Sequence, residues 1–328
     1  MGLPQRDAHA VLDVVVARYR PKVLTVGVAV TDLVFHVKQF PTRPEKYRAE
    51  SADIVGGGGA ANAAVAISRL DGLAWVAART GDDQMGATIA ADLRREGVRT
   101  DLVRTFEGRQ SSFSSVLVDE MGERLIVNYR DTKLPTNANW LRELALDMPF
   151  DAMLADTRWP DGAAAVMAAS QEKGVPGVLD AEAPVHEADE ALGMASHIVF
   201  SAQGLRDFVG HSSADPADSD LGSMLSEADE ALHAVVGVTD GADGVRWLEE
   251  GTLHHQPAPP LPAPLTDTLG AGDVWHGALA LALAEGQALE PAMRFANAAA
   301  TLKCVGATGR AGAPYREDVE EFLRSRST

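Results

Sequence analysis

The segment Asp267-Thr268-Leu269-Gly270-Ala271-Gly272-Asp273 runs directly into VWHGALALALAEG, an apolar stretch of helical character. Amides at the start of a helix point outward from its end, and the helix dipole favours negative charge there. A glycine-rich turn at that point suits a phosphoryl group in transfer. Asp273, in the first helical turn, stands where a carboxylate can take a proton from an attacking hydroxyl. A plainer reading is that the glycines make a tight turn and Asp273 caps a helix; residue types alone leave both open. A second cluster, Gly56-Gly57-Gly58-Gly59, lacks the Gly-Lys-Ser/Thr ending of a P-loop. It fits Gly56-x-Gly58-x-x-Ala61, a loose dinucleotide pattern, but does not follow the first strand. Gly57 and Gly58 could instead let a polar ligand approach the backbone, with Asn62 bonding it, or serve close helix–sheet packing.

Other reactive side chains carry less. His254 and His255 fall in an expected strand, so they point to opposite faces and make a poor metal pair. His276 shares a helix face with Asp273, which favours packing or support over catalysis. Cys304 reads as a small apolar residue rather than a nucleophile.

Strands and helices must hold these residues. Lys22 to Val30 is valine-rich and reads as the first strand; Leu33 to Val37 alternates. After a polar, proline-containing stretch from Phe40 to Asp53, the first glycine cluster opens a helix of small residues, AANAAVAISRL. Leu73 to Ala78 reads as a strand, followed by GDDQMG and a helix to about Glu96. This alternation predicts a parallel sheet with crossovers. Ser111 to Tyr129 interrupts it with two strand-like runs joined by Glu120-Met121-Gly122-Glu123, an expected hairpin. With residues 33–53 the hairpin predicts a small β-flap beside the main sheet. Strands are expected again over 151–156, 175–180, 197–201 and 234–239, and another hairpin over 244–256. Pro257 to Pro264 holds five of the 17 prolines and reads as a linker. Residues 1–20 read as a short amphipathic helix added before the fold.

Composition bounds the function. Of 328 residues, 29 are Lys or Arg and 47 are Asp or Glu, a net charge of −18 that disfavours general nucleic-acid binding. A small anionic ligand needs cations gathered locally. No apolar run reaches the length of a membrane span, and the single cysteine excludes an internal disulfide. The first residues lack a basic-then-apolar signal layout, so a cytoplasmic protein is expected.

The combination of DTLGAGD, GG…AN near the start and GDDQMG between them resembles the ribokinase or PfkB family of sugar kinases, over residues 22 to about 323. The resemblance implies an α/β fold, a doubly wound, mostly parallel sheet flanked by helices, with a β-sheet lid from about 31–55 and 108–131. Residues 1–21 are then an N-terminal extension and 22–328 the ribokinase-like domain. It implies transfer of the ATP γ-phosphate to a sugar hydroxyl, with Asp273 as base and the backbone of Gly270, Ala271 and Gly272 as anion hole. Asp32, Gly57, Gly58 and Asn62 match sugar-contacting positions. Thr239, Gly241 and Gly244, with Asn297, Cys304 and the GATGRAG loop, match the nucleotide surroundings and the usual monovalent-cation site. ATP, Mg²⁺ and a monovalent cation such as K⁺ are the implied cofactors, and a homodimer through the lid the implied assembly. Two departures stand out. Ser201-Ala202-Gln203-Gly204 lacks the acid that many members place near Mg²⁺, leaving Asp180 as a substitute, and Ala60 replaces a third glycine.

Within the family the likeness is to bacterial sulfofructose kinases, carried by Lys46-Tyr47, Asn128-Tyr129, the segment Leu154 to Trp159, and LKC…GRAG. It implies that Lys46, Asn128 and Arg158 hold a sulfonate, and that the reaction phosphorylates O1 of 6-deoxy-6-sulfofructose. A permanent anion needs fixed donors and compensating charge. Fructose or another ketohexose is the alternative acceptor. A non-catalytic sugar sensor, or a nicotinamide oxidoreductase resting on the 56–61 pattern, would be a different class.

Overall fold

The structure is a computed structural model that describes residues 19–121, 123–210 and 220–326. The helix expected over residues 1–20 lies, through residue 18, outside the described residues. Among the described residues, thirteen strands form two sheets. In chain order they are β1 (Lys22–Val26), β2 (Val30–His36), β3 (Ser51–Gly57), β4 (Leu73–Gly81), β5 (Val103–Phe106), β6 (Phe113–Val118), β7 (Arg124–Tyr129), β8 (Ala152–Asp156), β9 (Gly177–Ala181), β10 (His197–Ser201), β11 (Val235–Thr239), β12 (Val245–Glu249) and β13 (Thr252–Gln256). The large sheet has the order β13-β12-β11-β10-β9-β8-β1-β4-β5. Every neighbouring pair from β11 to β5 is parallel, and the β12–β13 hairpin adds an antiparallel edge.

Helices cover both faces because the strands are apolar on both. Along β8, Ala152 and Leu154 face one core and Met153 and Ala155 the other. The first core is closed by α1 (Gly59–Arg69) and α2 (Gln84–Arg95) together with three C-terminal helices. The second is closed by α3 (Asn139–Asp147), α4 (Pro160–Lys173), α5 (Asp189–Leu192), α6 (Ala202–Phe208) and α7 (Leu221–Ala231). The C-terminal helices are α8 (Ala271–Ala284), α9 (Leu289–Val305) and α10 (Arg316–Arg324). Chain order reverses between β1 and β8, and in such sheets ligands gather outside the carboxyl ends of the strands at the reversal.

The small sheet, ordered β3-β2-β6-β7, stands over those carboxyl ends as the expected lid. Two boundaries differ from expectation. The run from Lys22 to Val30 is not one strand: β1 ends at Val26, and Val30 already belongs to the lid. Gly27 makes the break, since a Cβ there would fall 2.1 Å from the Asp156 carboxylate, and the chain leaves the sheet at that point. Strand β5 was not foreseen; it is four residues long and half-exposed, so it carries no apolar alternation. Asp119 ties the lid hairpin by accepting the Glu123 amide at 2.9 Å.

Candidate active site

Helix α8 begins after Gly270, whose φ of 79° is left-handed backbone that glycine adopts without strain. The Ala271 amide donates to the Thr268 carbonyl at 3.1 Å. The amides of Gly270, Gly272 and Asp273 have no acceptor among the described residues. Of the three residues expected to form an anion hole, Ala271 spends its amide on closing the turn, while the amides of Gly270 and Gly272, and that of Asp273 after them, stay free of main-chain acceptors among the described residues.

Asp273 is half-buried and accepts the Asn62 side-chain amide at 2.7 Å. Burial pushes its carboxyl up to about 6, against the pull of the Asn62 hydrogen bond and with help from the charges of Glu182, Asp156 and Asp32. It opens onto a cavity of about 620 Å³ bounded by the lid above and the strand ends below. Asp32, Gly58, Asn128 and Arg158 line this cavity with Asp273. Asp32, on β2, is raised by burial and lowered by its hydrogen bond to Ser114 and the charge of Arg310. Gly57 makes room for it: a Cβ there would meet the Asp32 carboxylate at 2.0 Å. Asn62 reaches the site through Asp273, with its own Oδ1 buried and unpartnered. Lys46 is exposed between β2 and β3 and lines no cavity described.

Three residues beyond those expected organise the cavity. Asp156 ends β8 in a buried position and accepts three backbone amides, from Val28 at 3.0 Å, Ala60 at 3.1 Å and Arg158 at 2.9 Å. It thereby fixes the exit of β1, the start of α1 and its own turn. An acid closing the apolar run Ala152 to Ala155 was the signal for such a role, since a buried carboxylate needs donors. Arg79 and Arg130 were also missed. With Arg158 they line a smaller recess of about 190 Å³ that shares Val28, Ser112, Arg130 and Arg158 with the larger cavity. Arg158 is engaged by Glu182 at 3.1 Å and the Ala183 carbonyl at 2.8 Å. Arg79 stacks on Trp159 and donates to the Pro135 carbonyl, and its Nε is buried without a partner. Burial and the nearby Arg130 pull its guanidinium down to about 10.

A second cavity of about 520 Å³ lies across the glycine turn. Thr239, Gly241, Gly244, Asn297 and Cys304 all line it, and its walls are largely apolar, with Pro259, Pro260, Leu261 and Leu265. The proline-rich linker is one wall of this cavity. Asn297 braces another: its side chain accepts from Trp275 at 2.7 Å and donates to the Gln256 carbonyl at 2.9 Å. Burial raises the Cys304 thiol, which keeps it protonated and inert. The two cavities share Thr268 and Gly272 on their rims.

The remaining candidates lie around the cavity or on its supporting strands. Asp180 is buried, lines the larger cavity and lies 3.5 Å from His276; burial and the charges of Glu182, Asp273 and Asp156 hold its carboxyl well above the usual range. Both ring nitrogens of His276 face carbonyls, those of Gly272 and Val199. Ser201 caps α6 by accepting the Gly204 amide at 3.0 Å, so the segment without the acid is a helix start here. His254 stacks on Trp247 while His255 turns to the Asp243 carbonyl, on the other face of β13.

A doubly wound fold with a β-lid, and a glycine turn with free amides between a polar and an apolar cavity, define a sugar kinase. The family model for pfkB carbohydrate kinases matches residues 20–314, and the chain belongs to that family. It is an ATP-dependent sugar phosphotransferase. The ribokinase of Bacillus subtilis (strain 168) is 28% identical over 302 residues, 92% of this chain and 99% of that one. The ATP-dependent ribose-1-phosphate kinase of Halopiger xanaduensis is 28% identical over 312 residues, 93% and 99% of the two chains. The crystal structure of a proposed ribokinase from Agrobacterium tumefaciens superposes with a TM-score of 0.83 at 34% identity, covering 94% of this chain and 98% of that chain.

Proposed function

We propose that this kinase phosphorylates a sugar carrying an anionic substituent, 6-deoxy-6-sulfofructose at its C1 hydroxyl being the acceptor we put first. The observation that carries this reading is the recess at the far end of the larger cavity. Three guanidinium groups, those of Arg79, Arg130 and Arg158, line it against two carboxylates, Asp131 and Asp161, and neither Arg79 nor Arg130 forms an ion pair among the described residues. A permanent anion relieves such crowding, and a neutral sugar leaves it in place. The donor set differs from the one the sequence implied: Arg158 and Asn128 remain in it, Arg79 and Arg130 join it, and Lys46 would have to arrive by lid closure. The name of the Halopiger relative, a ribose-1-phosphate kinase, also supports a negatively charged acceptor.

In this reading the sugar lies between Asp32 and Asp273. Asp273 takes the proton of the attacking hydroxyl, and its raised carboxyl, still ionised at neutral pH, is well matched to that task. The sugar oxygen attacks the γ-phosphorus in line as ADP leaves toward the apolar cavity. The amides of Gly270, Gly272 and Asp273 take up charge on the transferred group. Mg²⁺ fits the residues present. Asp180 and Glu182 crowd negative charge at the end of β9, and Mg²⁺ is typically held by one or two carboxylates plus phosphate oxygens and water. When bound it would neutralise phosphate charge. Ile54, Leu125 and Val127, exposed on the face of β3 and β7 that turns away from the larger cavity, support a lid-to-lid homodimer.

Ribose is a second reading, supported by the names of the Bacillus and Agrobacterium relatives. An ATP-coupled assay over D-ribose, D-fructose, ribose 1-phosphate, fructose 6-phosphate and 6-deoxy-6-sulfofructose separates the two. The anionic reading expects a charged sugar to exceed its neutral counterpart by roughly tenfold or more in kcat/KM. Preference for D-ribose sinks it and favours the second reading. ATP binding without turnover of any sugar would instead indicate a sensor.

A further inference from the structure

The family resemblance implies a monovalent cation beside the loop 306–312, and the residues present do not fit one. Lys303, in the last turn of α9, has a fully buried side chain. Its ammonium donates to the main-chain carbonyl of Asp267 at 2.9 Å and to Asp267 Oδ2 at 3.0 Å. The same Oδ2 accepts the Gly309 amide at 2.8 Å. Asp267 Oδ1 accepts the Leu269 amide at 2.9 Å and the Arg124 guanidinium at 2.5 Å. Both carboxylate oxygens and the carbonyl of the residue that opens the glycine turn are thus already engaged, two of the three by an ammonium. A potassium ion placed there would have to displace a cation of its own charge and would lie beside a second one, Arg124.

The position of this ammonium matters for the nucleotide. Asp267 leads into Thr268 and Gly270, the rim of the donor cradle, and Gly309 begins the turn after α9, whose Thr301 and Cys304 line the apolar cavity. A cation between Asp267 and this turn ties the phosphate cradle to the wall of the nucleotide cavity. The Asp267 carboxyl is well suited to hold it. Burial works to raise that carboxyl, but the Leu269 and Gly309 amides and Lys303 together hold it below its usual range.

We propose that Lys303 is a built-in monovalent cation, a positioning residue whose ammonium fixes the loops at 267–270 and 306–309 and makes the kinase independent of added K⁺. A lysine ammonium is a compact point charge and can satisfy oxygen donors that an alkali ion would otherwise bridge. The inference does not depend on which sugar is phosphorylated.

The test measures ADP binding by titration calorimetry on the full chain, in potassium chloride and in choline chloride at equal ionic strength. Wild-type affinity should agree between the two salts within about twofold, and tightening beyond roughly fivefold in potassium overturns the proposal. Lys303→Ala leaves space for an ion. It should lose roughly tenfold or more of its ADP affinity in choline, the scale of one lost charge-assisted bond, and recover much of it with potassium or ammonium. Unchanged affinity in choline, or a loss that neither ion repairs in a variant with a native thermal melt, removes Lys303 from this role. Should Lys303→Ala fail to fold, Lys303→Arg keeps the charge and should bind ADP in choline within a few fold of wild type. Marked potassium dependence in that folded variant would equally overturn it.

Discussion

The side-chain amide of Asn62 donates to Oδ2 of Asp273 over 2.7 Å, joining the helix after the first glycine cluster to the helix after the second. These residues are 211 positions apart. The bond fixes the carboxylate rotamer and opposes the burial that raises its pKa. Its consequence is a carboxylate held at the wall of the larger cavity.

Asp273→Asn should keep the fold and bind ATP, yet lower kcat by roughly 10²-fold or more, the range for losing a general base. Steady-state kinetics beside ADP calorimetry checks this. Near-normal turnover would take Asp273 out of the base role.

The pH profile follows from the same group. Asp273 must be ionised to accept a proton, and its carboxyl is raised to about 6. kcat/KM should therefore be level above that pH and fall about tenfold per unit below it. Glu182 contributes to the raised value, so Glu182→Gln should move the acid limb down. Asn62→Leu removes a bond that favours the carboxylate and should move it up. Opposite displacements, or an acid limb that ignores both variants, would assign the limb to another group.

Arg79 should govern acceptor choice. Arg79→Met keeps the stem over Trp159 and removes the charge. Losing a charge-assisted contact costs about 1.5–3 kcal/mol, so kcat/KM for the anionic sugar should fall roughly 10- to 150-fold while that for its neutral counterpart changes little. Equal losses on both would mark Arg79 as structural.

Asp156 should matter for stability before chemistry. Asp156→Ala leaves the amides of Val28, Ala60 and Arg158 without their acceptor. Relief from burying the carboxylate offsets part of that, so unfolding free energy should drop by about 2–4 kcal/mol, read from urea midpoints. A change under 0.5 kcal/mol would mean that water replaces the carboxylate.

The lid prediction concerns assembly. Val127→Lys, on the face of β7 that turns away from the larger cavity, should convert a dimer to monomers in sedimentation velocity, because a charge at an apolar contact is costly to desolvate. A wild-type monomer at micromolar concentration would remove the lid from an assembly role.

The alternation of apolar runs with helical stretches was enough to predict the parallel sheet, and the break at Ser111 to Tyr129 was enough to predict the lid. Both are local patterns of period and turn chemistry. Gly270 and Asp273 were legible for the same reason: a glycine turn opening a helix is a contiguous signal. The exit from β1 was not. Val26, Gly27 and Val30 read as one valine-rich run, and only the carboxylate of Asp156, far along the chain, explains why the strand stops.

What the sequence determined by itself was therefore whatever adjacent residues specify: strands, helices, the glycine turn and the carboxylate within it. Tertiary structure alone decided which distant charges meet. It brought Arg79 from the end of β4 beside Arg130 and Arg158, engaged Arg158 with Glu182, left Lys46 at the surface and buried the Lys303 ammonium on Asp267. Side-chain charges interact through space over a few ångströms, and no spacing along the chain encodes that proximity until the sheet order places the strand ends together.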